Sequence, residues 1–352
     1  MKTDLTLSDF DYELPSNLIA KYPVLRRDSS RMLVIDKKTG QIEHKHFFDI
    51  VNYLEPSDIL VLNNTKVIPA KLTGKKSTGA GIEIFLTRFL GHNKWCSLIK
   101  NAKRLKENDI VKITDDLSVF IVKKGNAKEF GEGNIPENIV ELIYENNSME
   151  NILEKNGKIP LPPYIGREAE EKDKETYQTI YAKTPGSVAA PTAGLHFTEE
   201  ILEKIKNKGV RIACITLNVG LGTFLPVKTS NIKDHKMHTE SYFIPKVTAD
   251  IINNNKKGNI IAIGTTTTRC LEANYLKNGK IVEGYDETDI FIYPPFKFNV
   301  VDKLLTNFHL PKSTLLMLIS AFSSREIILE SYKRAIDQKY RFFSYGDCTF
   351  LK

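Results

Sequence analysis

The sequence predicts an α/β main domain with a mostly buried mixed sheet, into which a small antiparallel β-barrel domain is inserted. Three apolar runs, at 59–70, 210–224 and 258–273, are typical of strands that lead into polar or small residues. Continuous Ile, Val and Leu runs favour a sheet that is covered on both faces. Between about 68 and 160 the runs become short and alternating, with Gly, Asn and Asp between them, which indicates antiparallel strands closing into a barrel.

The segment 198–209 is predicted to be a helix that precedes the second of these strands. Thr198 stands at its start, and Glu199 and Glu200 fall in the first turn, where acidic residues favour the positive end of the helix dipole. A helix before a buried strand is the arrangement of an α/β layer. The charged stretch 167–178 is interpreted as a solvated helix face or a mobile loop without a catalytic role.

Length and composition favour two domains. The chain has 352 residues, of which 41% are hydrophobic, so it can bury a substantial core. We expect a discontinuous α/β catalytic domain formed by 1–67 and 160–352, with the inserted β-barrel domain at 68–159.

Composition also excludes several protein classes. No apolar stretch is long enough to cross a bilayer, and the N-terminus carries acidic residues where a signal peptide is apolar, so we expect a cytoplasmic protein. The four cysteines stand singly, which predicts neither a disulfide framework nor a cysteine zinc site. The net charge of +7 permits a polyanionic partner, although lysine-rich solubility is the more common explanation.

Common phosphate-binding and hydrolase motifs are absent from the sequence. There is no Walker A loop, and the run GLGTFL at 220–225 lacks the third glycine of a dinucleotide fingerprint. Standard ATP and NAD chemistry are therefore disfavoured. The sequence also lacks a G-x-S-x-G elbow and an H-E-x-x-H helix.

Polar residues beside glycine or an aromatic residue follow the predicted strands. In open α/β sheets, ligands bind beyond the carboxyl ends of the strands, where such loops converge. Seven loops are candidates to line one pocket: 63–65, 191–197, 218–224, 235–240, 264–269, 306–314 and 340–347.

His196 has two competing interpretations. It lies between Leu195 and Phe197, and by itself such a histidine is more often a packed core residue than a catalytic one. Pro191 and Gly194 favour a functional role, because they set a tight backbone that lets a ligand approach closely.

The segment HKMHTE contains His235, His238 and Glu240. The H-x-x-H spacing suits two metal ligands with a carboxylate as the third. If the segment continues the following strand, however, His238 and Glu240 share a face and His235 points away. That geometry favours a general base oriented by a carboxylate over a metal site, and a structural role is the remaining alternative.

Three further segments have a functional and a structural interpretation. Thr265, Thr266 and Arg269 lie at a predicted helix start that suits an anionic or carboxylate group, and a threonine-capped turn is equally compatible. The aromatic segment 340–347 would stack on a nucleobase if exposed, whereas a C-terminal core is more common. Asn63 and the asparagine after it are compatible with an Asx turn.

Taken in order, these segments resemble one family, the S-adenosylmethionine:tRNA ribosyltransferase-isomerases of queuosine biosynthesis. The resemblance spans nearly the whole chain and is weakest between about 75 and 155. Many relatives carry arginine where this chain has Lys66 and Lys71, and lysine lacks the bidentate fork of arginine. Many also carry histidine at Asn218. The segments that carry the resemblance are DFDYELPSNLIAKYP, LVLNNTKVIPAKL, GKIPLPPYI, YQTIYAKTPGSVAAPTAGLHFT, DHKMHTE, IAIGTTTTRCLE, TNFHLPKSTLLMLISAF and KYRFFSYGD.

The resemblance implies a reaction. The ribosyl part of S-adenosylmethionine is transferred to 7-aminomethyl-7-deazaguanine at the wobble position of tRNA and isomerised to an epoxycyclopentanediol. Adenine and methionine are released, and the product is epoxyqueuosine-tRNA. S-adenosylmethionine is consumed as a substrate, so we expect no cofactor and no metal. The expected partners are S-adenosylmethionine and the tRNA anticodon arm, with no membrane, and the protein is expected to be a monomer.

The resemblance also ranks the candidate site residues. His238, oriented by Glu240, is the predicted base, His196 is placed near the adenine or the incoming amine, and His309 is a further acid or base. Arg269 is predicted to hold the methionine carboxylate, and Asp347 or Glu240 to offset the sulfonium charge. The complete set of predicted substrate-binding residues is Asn63, Asn64, Thr65, Thr192, Gly194, Thr265, Thr266, Arg269, Phe342, Tyr345 and Asp347.

Two alternatives of other classes remain at this stage. One is a metal-dependent hydrolase of nucleosides or nucleotides that uses His235 and His238 with a third ligand. The other is a non-catalytic RNA-binding protein with the β-barrel as its binding module. Chelator sensitivity would identify the hydrolase, and RNA binding without adenine release would identify the binding protein.

Overall fold

The computed structural model describes residues 5–125, 137–145, 147–220, 227 and 229–352. Seventeen strands lie in these ranges. Those of the first part of the chain are β1 (Arg31–Ile35), β2 (Ile42–His46), β3 (Ile59–Asn63), β4 (Thr65–Val67), β5 (Lys71–Lys76), β6 (Gly81–Gly91), β7 (Lys94–Lys100), β8 (Ile110–Lys112), β9 (Ser118–Lys123) and β10 (Asn138–Ile143). The later ones are β11 (Thr184–Ser187), β12 (Arg211–Leu217), β13 (Glu240–Ile244), β14 (Ile260–Ile263), β15 (Gly284–Thr288), β16 (Lys303–Asn307) and β17 (Cys348–Leu351).

The helices of the described ranges alternate with these strands in the second half of the chain. The α-helices are α1 (Met149–Asn156), α2 (Asp173–Thr176), α3 (Glu199–Asn207), α4 (Lys246–Asn253), α5 (Thr265–Asn278), α6 (Thr314–Phe322) and α7 (Arg325–Asp337). Short 3₁₀ helices lie at Leu7–Phe10, Ser16–Leu18, Arg27–Ser29, Phe47–Tyr53, Ala102–Arg104, Pro163–Ile165, Thr192–His196 and Ile232–Asp234. Among the helices described, none is both long and apolar enough to cross a membrane.

Nine strands form one mixed sheet in the order β15-β13-β12-β3-β14-β16-β17-β1-β2. The four central strands β12, β3, β14 and β16 are parallel. On one side β13 and β15 extend the sheet by antiparallel pairing, and on the other side β17 is antiparallel to β16 and parallel to β1. The carboxyl ends of the four parallel strands therefore meet at one edge of the sheet, where ligands bind in such folds.

Helices cover both faces of the sheet, which confirms the predicted α/β domain. All five residues of β3 are buried. Leu60 packs on one face with Ile201 and Ile205 of α3, whereas Val61 packs on the other face with residues of α4 to α7. The predicted helix start is also present, because the Thr198 hydroxyl accepts a hydrogen bond from the Ile201 N–H at 3.2 Å.

The predicted inserted β-barrel is confirmed. Strands β10, β7, β6, β5, β8 and β9 close into an antiparallel barrel, and all of them lie within the predicted segment 68–159. Ile82, Ile84 and Leu86 of β6 alternate into its core. Helix α1 adds Ile152 and Leu153 to the same core. The exact domain boundaries stay a prediction.

Two details differ from the sequence prediction. The run 59–70 is divided at Asn64 into β3 and β4, and β4 pairs with β11 rather than with the main sheet. The charged stretch 167–178, predicted to be solvated or mobile, contains a buried carboxylate, because Arg167 makes two hydrogen bonds to Asp173, which is 2% exposed. Local charge alone does not reveal that neutralising contact.

Candidate functional site

Two adjoining depressions open at the carboxyl edge of the sheet. The larger, hereafter the cleft, has a volume of about 750 Å³ and lies between the sheet and the barrel. The smaller, hereafter the inner cavity, has a volume of about 70 Å³, and Val219 lines both. The cleft is lined by Asn218, His238 and Glu240 on the sheet side and by Arg88, Phe89 and Trp95 on the barrel side. The inner cavity is lined by Thr192, Thr265, Thr266, Asn307, His309 and Phe343.

The cleft brings together His238 and Glu240 of the predicted site. His238 is exposed and lies before β13, whereas Glu240 is the first residue of β13 and is buried. Because His238 lies before the strand, strand alternation does not relate their side chains. The predicted orientation of His238 by Glu240 stays a prediction.

Glu240 makes a buried ion pair with Arg269. The Arg269 guanidinium donates to the Glu240 carboxylate, and each side chain is 4% exposed. Arg269 also donates through Nε to the carbonyl of Ile290 at 3.2 Å, while its Nη2 has no hydrogen-bond partner among the residues described. Removing either partner would leave a buried charge uncompensated. The pair fixes the start of β13 against α5 at the wall of the cleft.

His235, the other histidine of this segment, is separate from His238 in its environment. Its ring is half-buried and packs edge-on against Phe291, with the ring centroids 5.3 Å apart. Burial lowers the pKa of His235. Within the described ranges, no group of three His, Cys, Asp or Glu side chains is arranged to hold a metal ion.

The asparagines after β3 join two strand ends. Asn63 accepts hydrogen bonds from the N–H groups of Thr65 and Leu217 at 3.2 and 3.0 Å, so the predicted Asx turn is present. Thr65 donates to the Asn218 side chain at 2.9 Å, and Asn64 accepts from Thr216 at 2.6 Å. These contacts position Asn218 on the cleft wall by tying the end of β3 to the end of β12.

The two lysines that stand where many relatives have arginine lie in different places. Lys66 lines the cleft and is exposed. Lys71 bridges the carboxylates of Glu83 and Glu168 at 3.0 and 3.1 Å. A single ammonium can serve both carboxylates as a point charge, so a bidentate fork is not needed at Lys71.

The inner cavity gathers four other predicted residues. Thr192, Thr265, Thr266 and His309 line it, and the first turn of α5 begins there at Thr265. The Thr266 hydroxyl and the Asn307 side-chain oxygen are buried without a hydrogen-bond partner among the residues described. Buried polar atoms are normally paired, so these two atoms offer binding capacity to a ligand in the cavity.

His309 is buried at this cavity as a neutral ring. Its Nε2 lies 3.0 Å from the Thr306 hydroxyl, and the Tyr332 hydroxyl accepts a hydrogen bond from the His309 backbone N–H at 3.0 Å. Burial lowers the pKa of His309 to about 3. The ring is therefore uncharged at neutral pH and can act only through the hydrogen bonds of its neutral form.

His196 is also buried, 4% exposed, and both ring nitrogens are engaged. Its Nδ1 lies 2.6 Å from the Ser30 hydroxyl, which itself donates to the carbonyl of Arg27. Nδ1 therefore carries the proton, and Nε2 accepts from the Asn307 amide at 3.2 Å. Burial, reinforced by nearby cationic arginines, lowers the pKa of His196 to about 3. These contacts favour the core interpretation, while a catalytic role stays a prediction.

The aromatic segment 340–347 forms core rather than cleft wall. Phe342 is fully buried, and the Tyr345 hydroxyl donates to Asp173 at 2.7 Å. Asp347 accepts hydrogen bonds from the backbone N–H groups of Arg31 and Arg341 at 2.9 and 2.8 Å, while burial raises its pKa. None of these side chains lines the cleft or the inner cavity as the structure describes them. Their predicted binding roles are therefore not supported by position.

Gly194 has a packing reason for its identity. A Cβ at this position would lie 2.0 Å from the Tyr181 hydroxyl and 2.8 Å from the Thr179 methyl group. The tight backbone that the sequence predicted is present, but side chains of the same chain approach it, rather than a ligand.

Sequence reasoning missed the barrel wall of the cleft. Phe89 and Trp95 lie in a segment where the sequence showed only alternating strands, and nothing local indicates that they face the loops of the sheet. Asn307 was missed for a different reason. Its predicted loop, 306–314, drew attention to His309, whereas Asn307 contacts both His196 and the inner cavity.

Comparisons with known proteins are consistent along the whole chain. Residues 7–351 match the model of a family described as queuosine biosynthesis protein. The S-adenosylmethionine:tRNA ribosyltransferase-isomerase of Sulfurihydrogenibium sp. (strain YO3AOP1) is 56% identical over 350 residues, which cover 99% of this chain and 100% of the relative. The crystal structure of S-adenosylmethionine tRNA ribosyltransferase from Thermotoga maritima is 36% identical, covers 98% of this chain and 100% of its own, and superposes with a TM-score of 0.55.

Proposed function

The chain belongs to the queuosine biosynthesis protein family, and we propose that it is an S-adenosylmethionine:tRNA ribosyltransferase-isomerase. The 56% identity to a relative of that name, over its full length, confirms the transferase activity that the sequence resemblance predicted. S-adenosylmethionine and tRNA are the substrates that this activity requires.

The finer substrate assignment is supported by the charge of the cleft. A sulfonium is cationic, and the aminomethyl group of 7-aminomethyl-7-deazaguanine is cationic when protonated, so an acidic site suits both. In this proposal, the reacting base is the one at the wobble position of the anticodon arm. Five glutamates line the cleft against one lysine and one arginine: Glu137, Glu150, Glu154, Glu240 and Glu287 against Lys66 and Arg88. This acidic lining is the observation that carries the proposal.

His238 is the proposed base of the reaction. The sulfonium acidifies the ribose 5′ carbon beside it, so a base in the cleft can remove a proton there and leave an ylide. His238 is the exposed histidine on the cleft wall, and an imidazole nitrogen can accept a proton. Glu240 acts indirectly in this scheme, because its ion pair with Arg269 holds the start of β13 in place.

The methionine end of the substrate is proposed to enter the inner cavity. Backbone N–H groups at the start of α5 favour an anionic group, and the unpaired Thr266 hydroxyl adds a donor. Thr192 and Thr265 line the same cavity. The carboxylate therefore binds at the α5 N-terminus in this scheme, rather than to the Arg269 guanidinium, which is engaged by Glu240.

The remaining parts of the proposal concern assembly and location. Both substrates are accommodated by a single chain in this scheme, so we propose that the enzyme acts as a monomer. Since tRNA maturation takes place in the cytoplasm, the enzyme is placed there. No cofactor is needed, because S-adenosylmethionine itself supplies the transferred carbons.

The proposed function predicts coupled release of two products. Protein incubated with S-adenosylmethionine and RNA that carries 7-aminomethyl-7-deazaguanine should release adenine and methionine in equal amounts, measured by chromatography. RNA with an ordinary guanine at that position is the matched control and should give neither product. Release of S-adenosylhomocysteine would indicate methyl transfer and contradict the proposal. Loss of activity with a chelator would instead support a metal-dependent hydrolase.

A further inference from the structure

Two aromatic residues of the barrel line the cleft opposite His238. Phe89 of β6 is 48% exposed, and Trp95 of β7 is 2% exposed. They are cross-strand partners beside the tight turn at His92 and Asn93, where both residues have positive φ. Their ring centroids lie 5.0 Å apart at an interplanar angle of 49°. A buried ring therefore supports an exposed ring at the mouth of the cleft.

The exposure of Phe89 follows from irregular strand pairing. The register of β6 against β7 shifts between Leu86 and Arg88 and again between Phe89 and Gly91. These bulges end the alternation that buries Leu86, so the three residues from Arg88 to Leu90 are exposed in succession. Bulges commonly redirect side chains beside binding sites. Here they place an aromatic face where regular alternation would not.

Trp95 also carries a buried polar atom without a described partner. Its indole Nε1 is buried and has no hydrogen-bond partner among the described residues. Buried N–H donors are normally paired, and Trp95 lies on the cleft wall. Because this atom is buried, Trp95 contributes its ring as support rather than its donor as a ligand contact.

A basic groove leads along the barrel to this wall. The groove has a volume of about 970 Å³ and is lined by Lys71, Lys100, Lys103, Lys124 and Arg167, together with Glu83 and Glu168, which both pair with Lys71. Leu98 lines both the groove and the cleft. A polyanion bound along the groove would therefore extend to the barrel wall of the cleft at Leu98. The cleft itself is acidic, which suits a base better than a phosphate.

We propose that Phe89 is the platform on which the target nucleobase of the tRNA stacks, supported from behind by Trp95. This inference rests on the proposed function. In it, the barrel binds the base, and the loops of the sheet hold S-adenosylmethionine. Base stacking on an aromatic ring depends on its π-face, which every nucleobase shares. The stacked base presents its aminomethyl group to the opposite wall, which contains the exposed carboxylate of Glu287.

Trp95 makes the proposal directly measurable, because it is the only tryptophan of the sequence. Anticodon stem-loop RNA with 7-aminomethyl-7-deazaguanine at the wobble position should change the tryptophan emission of the wild-type protein on titration. Phe89→Ala should weaken RNA binding by roughly 5- to 150-fold, the range of a lost base–aromatic stack. Phe89→Tyr should restore binding, whereas Phe89→Leu should not, because leucine keeps apolar packing but has no π-face.

Phe48→Ala is the matched control. Phe48 is 45% exposed, similar to Phe89, and stacks on His46 at a ring distance of 5.1 Å, away from the cleft lining. This variant should bind RNA as the wild type does. Every variant should keep its affinity for S-adenosylmethionine and its melting temperature.

Three results would overturn the platform. If Phe89→Ala bound RNA with wild-type affinity, no base would stack on Phe89. If Phe89→Leu restored binding, apolar packing alone would explain the effect. If a Phe89 variant bound S-adenosylmethionine more weakly, adenine rather than the tRNA base would lie on Phe89. The failure of the proposed function is distinguishable, because these titrations need no turnover. A protein that binds RNA through Phe89 but releases no adenine would contradict the function and support the platform.

Discussion

At His196, hydrogen bonding decides what a histidine can do. The Ser30 hydroxyl is already a donor to a carbonyl, so the imidazole must donate to it through Nδ1, and Asn307 occupies Nε2. The ring is thereby held in one neutral tautomer. The sequence predicted the burial from Leu195 and Phe197, but these partners come from 166 and 111 residues away, so the tautomer was not predictable.

The two buried histidines predict loss of stability in acid. The pKa of His196 and that of His309 are lowered from 6.5 to about 3. Between pH 3 and 6.5 the histidines of the unfolded chain bind protons, whereas the buried native rings do not. The free energy of unfolding therefore falls as the pH drops from about 6.5 towards 3, and these histidines do not change it above about pH 6.5. For each histidine, a pKa difference of one between the folded and unfolded states corresponds to about 1.4 kcal/mol of unfolding free energy. Urea unfolding at several pH values should show this fall.

His196→Gln is the variant that isolates one of these rings. Glutamine retains a donor and an acceptor but does not titrate, so the acid-dependent fall should become shallower than in the wild type. Equal slopes for the two proteins would contradict the buried neutral state of His196.

His238 and His235 provide a matched pair for the proposed base. They are three residues apart, but His238 lines the cleft and His235 packs against Phe291. His238→Gln should lower kcat by about 10²- to 10⁴-fold, the usual contribution of a general base. His235→Gln should leave kcat within a few-fold of the wild type. Single-turnover adenine release measures both, and equal effects of the two changes would contradict the assignment.

At the scale of elements, local pattern predicted what depends on local sequence. Helix α3 was predicted from Glu199 and Glu200 in its first turn, and β3 from a continuous apolar run. The structure adds the Thr198 cap and shows that all five positions of β3 are buried. The division of the run 59–70 into β3 and β4 was not predicted, because β4 pairs with β11, more than a hundred residues later. The bulges of β6 were equally invisible, since they depend on its register with β7.

Two lysines, one at the end of β7 and one in the following 3₁₀ helix, are expected to make RNA binding depend on salt. Lys100 and Lys103 are exposed in the basic groove and make no ion pair with another described residue. Each lysine that neutralises a phosphate of single-stranded RNA contributes about 0.7 to the slope of log affinity against log salt. Replacing both by alanine should therefore reduce the slope by about 1.4.

Lys256→Ala combined with Lys257→Ala is the control for this measurement. Both lysines are exposed before β14, at the amino ends of the parallel strands and thus opposite the cleft. Their removal should leave the slope unchanged in salt titrations of RNA binding. A slope that falls equally in both double variants would show diffuse attraction rather than a groove.

At the scale of the whole molecule, the order of segments predicted the family, the mixed sheet and the inserted barrel. The placement of the barrel against the sheet was beyond the sequence, because the cleft forms only when residues near 89 and 95 meet residues near 218 and 238. For the same reason Phe342, Tyr345 and Asp347 were predicted to bind substrate although their side chains lie in the core. Composition shows that a residue is suited to a site, and tertiary contacts decide whether it reaches one.

Isotope labelling can follow the transfer of ribose carbons from S-adenosylmethionine to RNA. S-adenosylmethionine labelled with carbon-13 in the ribose, or separately in the methyl group, is incubated with the protein and RNA that carries 7-aminomethyl-7-deazaguanine. The RNA is then digested and its nucleosides are weighed by mass spectrometry. A ribosyltransferase-isomerase should give a modified nucleoside that carries all the ribose carbons and no methyl label. Methyl label in the RNA, or ribose label that stays outside it, would rule out this reaction.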